Sequence, residues 1–147
     1  MRHPFLRTLA GSAAPAATDP NFENVTLLLH GDGTNGGQNN TFVDGSTNNF
    51  TITRNGNTTQ GTFSPYGDNW SNYFDGTGDY LSIARNSSFL PVANEDFTIE
   101  AFIYLTVAPG VQNGLIAGLG EIGTDSDWLF SINSSLQVSF YINTIAT

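Results

Sequence analysis

Hydrophobic and polar side chains alternate most regularly along residues 97–105. One face of this segment is wholly apolar (Phe97, Ile99, Ala101, Ile103 and Leu105), and the other is polar and aromatic (Thr98, Glu100, Phe102, Tyr104 and Thr106). A period of two predicts a β-strand. Because so apolar a strand needs a facing sheet to cover it, the pattern predicts a β-sandwich.

A glycine-bearing acidic turn precedes this predicted strand. Phe74 is followed by Asp75-Gly76-Thr77-Gly78-Asp79 and then by a short alternating run over residues 80–83. Glycine adopts the positive φ angles that tight turns require, and aspartate tolerates them better than most residues. Residues 73–83 are therefore predicted to be two strands joined by a turn.

Short strands are predicted along most of the remaining chain. The apolar run 25–30 predicts a central strand, and Asn55-Gly56 predicts a hairpin turn between residues 50–53 and 58–63. We expect loops at 31–40 and 65–70, a buried strand or bend at 115–120, and a hairpin of 128–132 with 136–142 across residues 133–135. Because no segment has a helical period of 3.6 residues, the predicted class is all-β.

Two sequence stretches carry a family resemblance. The run FDGTGDYLSI followed by DFTIEAFIYL, preceded by VTLLLHGDG and FVDGS, resembles the laminin-G-like, concanavalin-A-like jelly-roll modules. These modules are frequent in virion proteins of bacteriophages, notably of cyanophage type. The resemblance covers roughly residues 24–142 and implies an antiparallel β-sandwich (jelly roll). Because lectins, adhesins, spacers and enzymes share this fold, the resemblance predicts the fold more directly than the function.

Two regions are predicted: an N-terminal arm at residues 1–20 and a sandwich at residues 21–147. Such sandwiches are usually longer than this segment. We therefore expect the jelly roll to be incomplete at its C-terminal side, and to be completed by further chain or by neighbouring subunits.

The first twenty residues differ in composition from the rest, with two of the four arginines and an Ala/Gly/Ser tract. Arg7 interrupts the only apolar stretch, which argues against a signal peptide. The favoured interpretation is an extended arm that docks on a partner; an uninvolved tail is the alternative. The docking residues would be Arg2, Phe5, Leu6, Arg7 and Leu9.

Charge is sparse and one-sided. The 147 residues include 13 acidic side chains, four arginines and no lysine, for a formal net charge of −9. Such a chain repels nucleic acids and anionic membrane surfaces. There is no cysteine, so neither a disulfide nor a thiolate metal site can form, and this is typical of proteins folded in a reducing cytoplasm.

Enzymatic chemistry is not expected. The chain lacks a G-x-S-x-G motif, and His30 is better interpreted as a strand-edge residue than as a catalytic base. Glycosidases of similar fold need paired carboxylates at a defined spacing, whereas Glu100 stands alone on its strand face.

Calcium is the one cofactor that the sequence favours, through oxygen-rich loops. Calcium takes six to eight oxygen ligands, and two such loops together could supply them. Asp75 and Asp79 are the preferred ligands; the other candidate pairs are Asp32 with Asn35, Asp44 with Asn48, and Asp125 with Asp127. Asp, Asn and Gly also form turns without any metal, so both interpretations stay open.

Aromatic residues in polar loops suggest sugar binding by ring stacking, with Tyr66, Trp70 and Tyr73 as candidate contacts. The leading hypothesis is a bacteriophage virion structural protein, located on the tail, a fibre or the capsid surface. Its partners would be other virion proteins, copies of itself (a trimer would suit a fibre) and a host-surface glycan. The alternative is a secreted carbohydrate-binding module.

Overall fold

The structure is a computed structural model that describes residues 19–30, 41–66, 69–90, 96–110, 114–121 and 125–142. Within these ranges it is built from seven antiparallel strands: β1 Thr53–Asn55, β2 Thr59–Tyr66, β3 Asn69–Tyr73, β4 Tyr80–Ser82, β5 Gly114–Glu121, β6 Asp125–Ile132 and β7 Val138–Ile142. The helical elements there are two short 3₁₀ turns, Phe22–Asn24 and Ser87–Phe89. The predicted all-β class is confirmed.

No helix in the described ranges is long and apolar enough to cross a membrane.

The largest sheet has the strand order β5-β6-β7. The hairpin of β6 with β7 keeps an unbroken register from the pair Trp128 and Ile142 to the pair Ile132 and Val138. The Asn133 side chain closes the turn, because its Oδ1 accepts the backbone N–H groups of Ser135 and Gln137, both at 2.9 Å. This confirms the hairpin predicted across residues 133–135. Of the two alternatives predicted for residues 115–120, the strand is the one that forms.

Two smaller sheets differ from the predicted pairing. The Asn55-Gly56 turn forms, with Gly56 at φ +70°, but β1 pairs with β4, and β2 pairs with β3. The predicted hairpin between residues 50–53 and 58–63 is therefore wrong. The Asn55 side-chain amide donates to Ser82 Oγ at 3.1 Å and so fastens β1 to β4 instead. The predicted loop at 65–70 is also corrected, because Tyr66 and Asn69 pair within the β2–β3 hairpin.

Two predicted strands are not formed. Residues 25–30 contribute one isolated bridge, between Leu29 and Asp44, and residues 96–105 lie outside any strand. A strand is stable only when a neighbouring strand pairs with it, so alternation alone does not create one. Residues 97–105 have the apolar pattern of a strand, but no strand in the described part of the chain pairs with this segment.

Buried polar residues are frequent among the side chains that the structure describes. Phe42 and Leu119 are the buried hydrophobic residues among these side chains, whereas six polar residues are buried: Asp44, Ser46, Thr58, Gln60, Asp127 and Ser131. Buried polar groups must be hydrogen-bonded to be tolerated, so side-chain hydrogen bonds hold much of this fold together.

Candidate functional site

The predicted calcium ligand Asp79 joins two turns through backbone hydrogen bonds. Its Oδ1 accepts the N–H of Asn57 at 2.6 Å, and its Oδ2 accepts the N–H of Asp75 at 2.9 Å. The hydrogen bond from Asp75, followed by that from Asn57, lowers the pKa of Asp79. The carboxylate therefore holds the Gly56 turn against the acidic turn.

Asp75 also acts within its own turn. Its Oδ1 accepts the N–H of Thr77 at 2.7 Å, and both Gly76 and Gly78 adopt the predicted positive φ angles of +83° and +73°. In the described ranges, no three acidic or histidine side chains come together as a group that could hold a metal ion. Calcium binding at Asp75 and Asp79 stays a prediction, and the geometry accounts for both carboxylates as turn-forming groups.

Asp44, which forms a further candidate calcium pair with Asn48, is buried in a network of its own. Its Oδ1 accepts the N–H groups of Leu28 and Ser46 at 3.0 and 2.9 Å, and its Oδ2 accepts the Ser46 hydroxyl and the Phe50 N–H at 2.9 and 2.8 Å. Burial raises the pKa of Asp44, but these hydrogen bonds outweigh it, so the pKa lies below its usual value. Asn48 bonds elsewhere, to the carbonyl of Thr26.

The remaining acidic pairs lie wholly or partly outside the described part of the structure. Asp32 and Asn35 lie outside the described residues, as does the Asp125 side chain. Asp127 is buried and forms an ion pair with Arg85 at 2.5 Å. The sequence spacing does not indicate this pair, because 41 residues separate its two members. The rarity of basic residues is the one feature of the sequence that points to Arg85 as an ion-pair partner.

The predicted glycan contacts are only partly visible. Tyr73 ends β3 with an exposed side chain, while the side chains of Tyr66 and Trp70 lie outside the described part of the structure. Phe74 and Tyr80 are exposed on either side of the acidic turn. Sequence reasoning did not include these two rings, although both flank the turn that it singled out.

The predicted docking residues of the arm (Arg2, Phe5, Leu6, Arg7 and Leu9) all lie outside the described residues.

The most distinctive surface is a set of exposed apolar side chains that we call the apolar patch. It consists of the segment 97–107 together with β7, and its exposed members are Phe97, Phe102, Ile103, Tyr104, Leu105, Val107, Val138, Phe140, Tyr141 and Ile142. Phe102 is 80% exposed and Val107 is 78% exposed. All five residues of β7 are exposed.

Ring contacts tie the two parts of the apolar patch together. The ring of Phe97 lies 5.7 Å from that of Phe140 in β7, and Phe140 lies 6.3 Å from Trp128 in β6. Segment 97–107 is therefore anchored at Phe97 to the same sheet face that carries Phe140. The sequence pattern predicted both segments as apolar, but their exposure depends on what packs against them.

Comparison with protein-family models, with curated proteins and with solved structures finds no match to this chain.

Proposed function

We propose that this chain is a structural subunit of a bacteriophage particle. Its arm at residues 1–20 docks on the particle, and its β-rich module projects as part of the tail, a fibre or the capsid surface. The module has no catalytic role in this proposal. The family resemblance of the sequence supports the proposal, and one observation on the structure carries it.

That observation is the apolar patch. A soluble monomer rarely exposes more than roughly 300–600 Å² of contiguous apolar surface. Here four exposed aromatic side chains (Phe97, Phe102, Tyr104 and Phe140) present on the order of 500 Å², since a whole aromatic side chain covers about 200 Å², and the aliphatic members of the patch add to this area. A surface of this size and composition suits a subunit that is covered by neighbours in an assembly.

The finer fold belongs to the same proposal. In a laminin-G-like antiparallel sandwich, residues 97–105 would be a paired strand with a facing sheet. We propose that this segment becomes a strand when a neighbour covers the apolar patch. The alternation of its side chains supports this, because it is the pattern that a paired and half-buried strand needs.

Antibody labelling of purified phage particles tests the proposal. The antibody is raised against the recombinant chain and viewed by electron microscopy with a gold label, and particles of an unrelated phage serve as the control. Label at the tail or on a fibre supports a role in host attachment, and label over the head supports capsid decoration. Complete absence of label, with the chain also absent from denatured particles in an immunoblot, would overturn the proposal.

A glycan-binding module is the second candidate, and the exposed rings around the acidic turn favour it. Tyr80 pairs with Asn55 in the β1–β4 sheet, where the Asn55 amide bonds to Ser82, and Tyr73 is exposed at the end of β3, before the acidic turn. Stacking rings beside amide groups are typical of sugar sites. On a glycan array, Tyr73→Ala should abolish retention, whereas Tyr141→Ala in another sheet should not. Equal retention by both variants would contradict this candidate.

A further inference from the structure

We propose that Asn55 is a self-modification site, at which the backbone nitrogen of Gly56 displaces the side-chain amide and the β1–β4 pair controls the rate. The reacting groups belong to a single turn of the chain. The site is therefore independent of the proposed function.

The dipeptide Asn55-Gly56 supplies both reacting groups. The nitrogen of Gly56 forms a bond to the side-chain carbonyl carbon of Asn55, which closes a succinimide ring. The bond from that carbon to Nδ2 breaks, and Nδ2 leaves as ammonia with the proton of the Gly56 nitrogen. Water then opens the ring at either of its carbonyl carbons, so position 55 becomes aspartate or isoaspartate.

Glycine is the residue that hinders this attack least, because it has no Cβ. Among the residues that the structure describes, Asn55 is the asparagine followed by glycine. Asn35 and Asn113 also precede glycine, but they lie outside the described residues. Asn133, in the β6–β7 turn, precedes a serine and so serves as an internal comparison.

The folded structure restrains the reaction. Nδ2 of Asn55 donates to Ser82 Oγ in β4 at 3.1 Å and to the carbonyl of Thr53 at 3.4 Å. Because side chains in a strand stand roughly perpendicular to the sheet, these contacts keep the Asn55 carbonyl carbon away from the Gly56 nitrogen. Ring closure therefore requires the β1–β4 pair to open.

The β1–β4 pair is suited to local opening. Each strand has three residues, and the two form a sheet of their own. A two-stranded sheet is only marginally stable by itself, and small elements open at a lower free energy than the whole chain. Asn55 pairs with Tyr80 at one end of this ladder, where fraying begins.

Deamidation weakens the turn in which it occurs. The product carboxylate has no N–H group to donate to the carbonyl of Thr53. Gly56 also lies directly against the carboxylate of Asp79, so the modification places a second negative charge beside an existing one. Isoaspartate additionally lengthens the main chain after β1. The contact between the Gly56 turn and the acidic turn should therefore loosen in the modified chain.

Peptide mass spectrometry of the full chain tests the inference after incubation in neutral and in mildly alkaline buffer. Deamidation at Asn55 should rise with pH, because the attacking nitrogen must lose its proton, and should exceed that at Asn133. Ser82→Ala should raise the rate at Asn55 roughly fivefold, the effect of losing one ordinary hydrogen bond. Ser139→Ala removes a hydroxyl contact in another sheet and should change the rate less than about twofold.

The unmodified chain in concentrated urea keeps the test decisive even if Ser82→Ala does not fold. Asn55 should react faster there than in the folded chain, because the β1–β4 pair is then absent. In urea, Ser82→Ala should have no effect. Equal rates in the folded and unfolded chains, an Asn55 that stays intact in the folded chain, or a rate that folded Ser82→Ala leaves unchanged would each overturn the inference.

Discussion

The Arg85 guanidinium pairs with the buried carboxylate of Asp127 at 2.5 Å and thereby ties the segment after β4 to strand β6. A second contact reinforces this connection close by, because the Trp128 indole N–H donates to the carbonyl of Phe89 at 2.8 Å. Phe89 in turn packs on Phe50, with ring centroids 5.1 Å apart. These three contacts connect segments that are 39 or more residues apart in sequence.

We expect the Arg85–Asp127 pair to be measurably coupled. Arg85→Ala leaves the Asp127 carboxylate buried without its cation, whereas Asp127→Asn removes the charge itself. Because half of Arg85 is exposed, the coupling should be only about 1 kcal/mol. Urea unfolding of both single variants and the double variant measures it. Strictly additive effects of the two substitutions would show that the ion pair does not contribute to stability.

Asp44 should make stability depend on pH. Its pKa is lowered from the usual 3.8 in the folded chain, so its contribution is present above that value and is lost as pH falls through the folded pKa. Asp44→Asn should cost roughly 2–3 kcal/mol at pH 7, since hydrogen bonds to a charged group are strong. The difference from the unmodified chain should shrink as the pH falls below 3.8 and through the lowered pKa of the folded chain.

Urea midpoints at neutral and acidic pH check this dependence. Asp19→Asn is the matched control, because Asp19 is exposed and its carboxylate bonds only to the nearby N–H of Asn21 among its described contacts. A loss of stability for Asp44→Asn that is the same at both pH values would contradict the role assigned to the carboxylate.

The Gly56 turn should tolerate substitution less well than the Gly76 turn. Both glycines have positive φ, so alanine at either position costs about 1 kcal/mol of backbone strain. A Cβ at Gly56 would also collide with Asp79 Oδ1 and the Gly78 carbonyl, whereas a Cβ at Gly76 meets no atom within 4 Å. Gly56→Ala should therefore lower the melting temperature clearly more than Gly76→Ala. Equal effects would mean that the Asp79 contact does not hold the two turns together.

Chelation should leave the acidic turn folded. Both oxygens of Asp79 accept backbone N–H groups, so the turn is satisfied by the protein itself. We expect EDTA to change the melting temperature by less than about 2 °C. A larger fall that added calcium reverses, and that Asp79→Asn abolishes, would instead establish the calcium site predicted from the sequence.

Local sequence signals predicted the elements whose partners lie nearby. Strands β6 and β7 follow from alternation on both sides of a short Asn-Ser-Ser turn, and the positive φ of Gly76 and Gly78 follows from glycine beside aspartate. In these cases the interacting groups are only a few residues apart, so the local composition and spacing are enough to predict the turn and hairpin geometry.

Elements that depend on distant partners could not be predicted. The hydrogen bond from Leu28 to Asp44 spans 16 residues, and the one from Asn55 to Ser82 between β1 and β4 spans 27. Residues 97–105 show the same limit from the other side. Their alternation indicates a strand with one buried face, but it does not determine which other strand pairs with them.

Oxidative footprinting of the apolar patch tests the central claim most directly, namely that a neighbouring chain covers it. Hydroxyl radicals modify exposed aromatic rings, and Phe102 and Tyr104 are 80% and 75% exposed in the single chain. The account predicts strong modification of both rings in the free chain, and several-fold protection on assembled particles. Tyr80, which is exposed outside the patch, should react equally in all samples. Unchanged reactivity of Phe102 and Tyr104 in every sample would contradict the account.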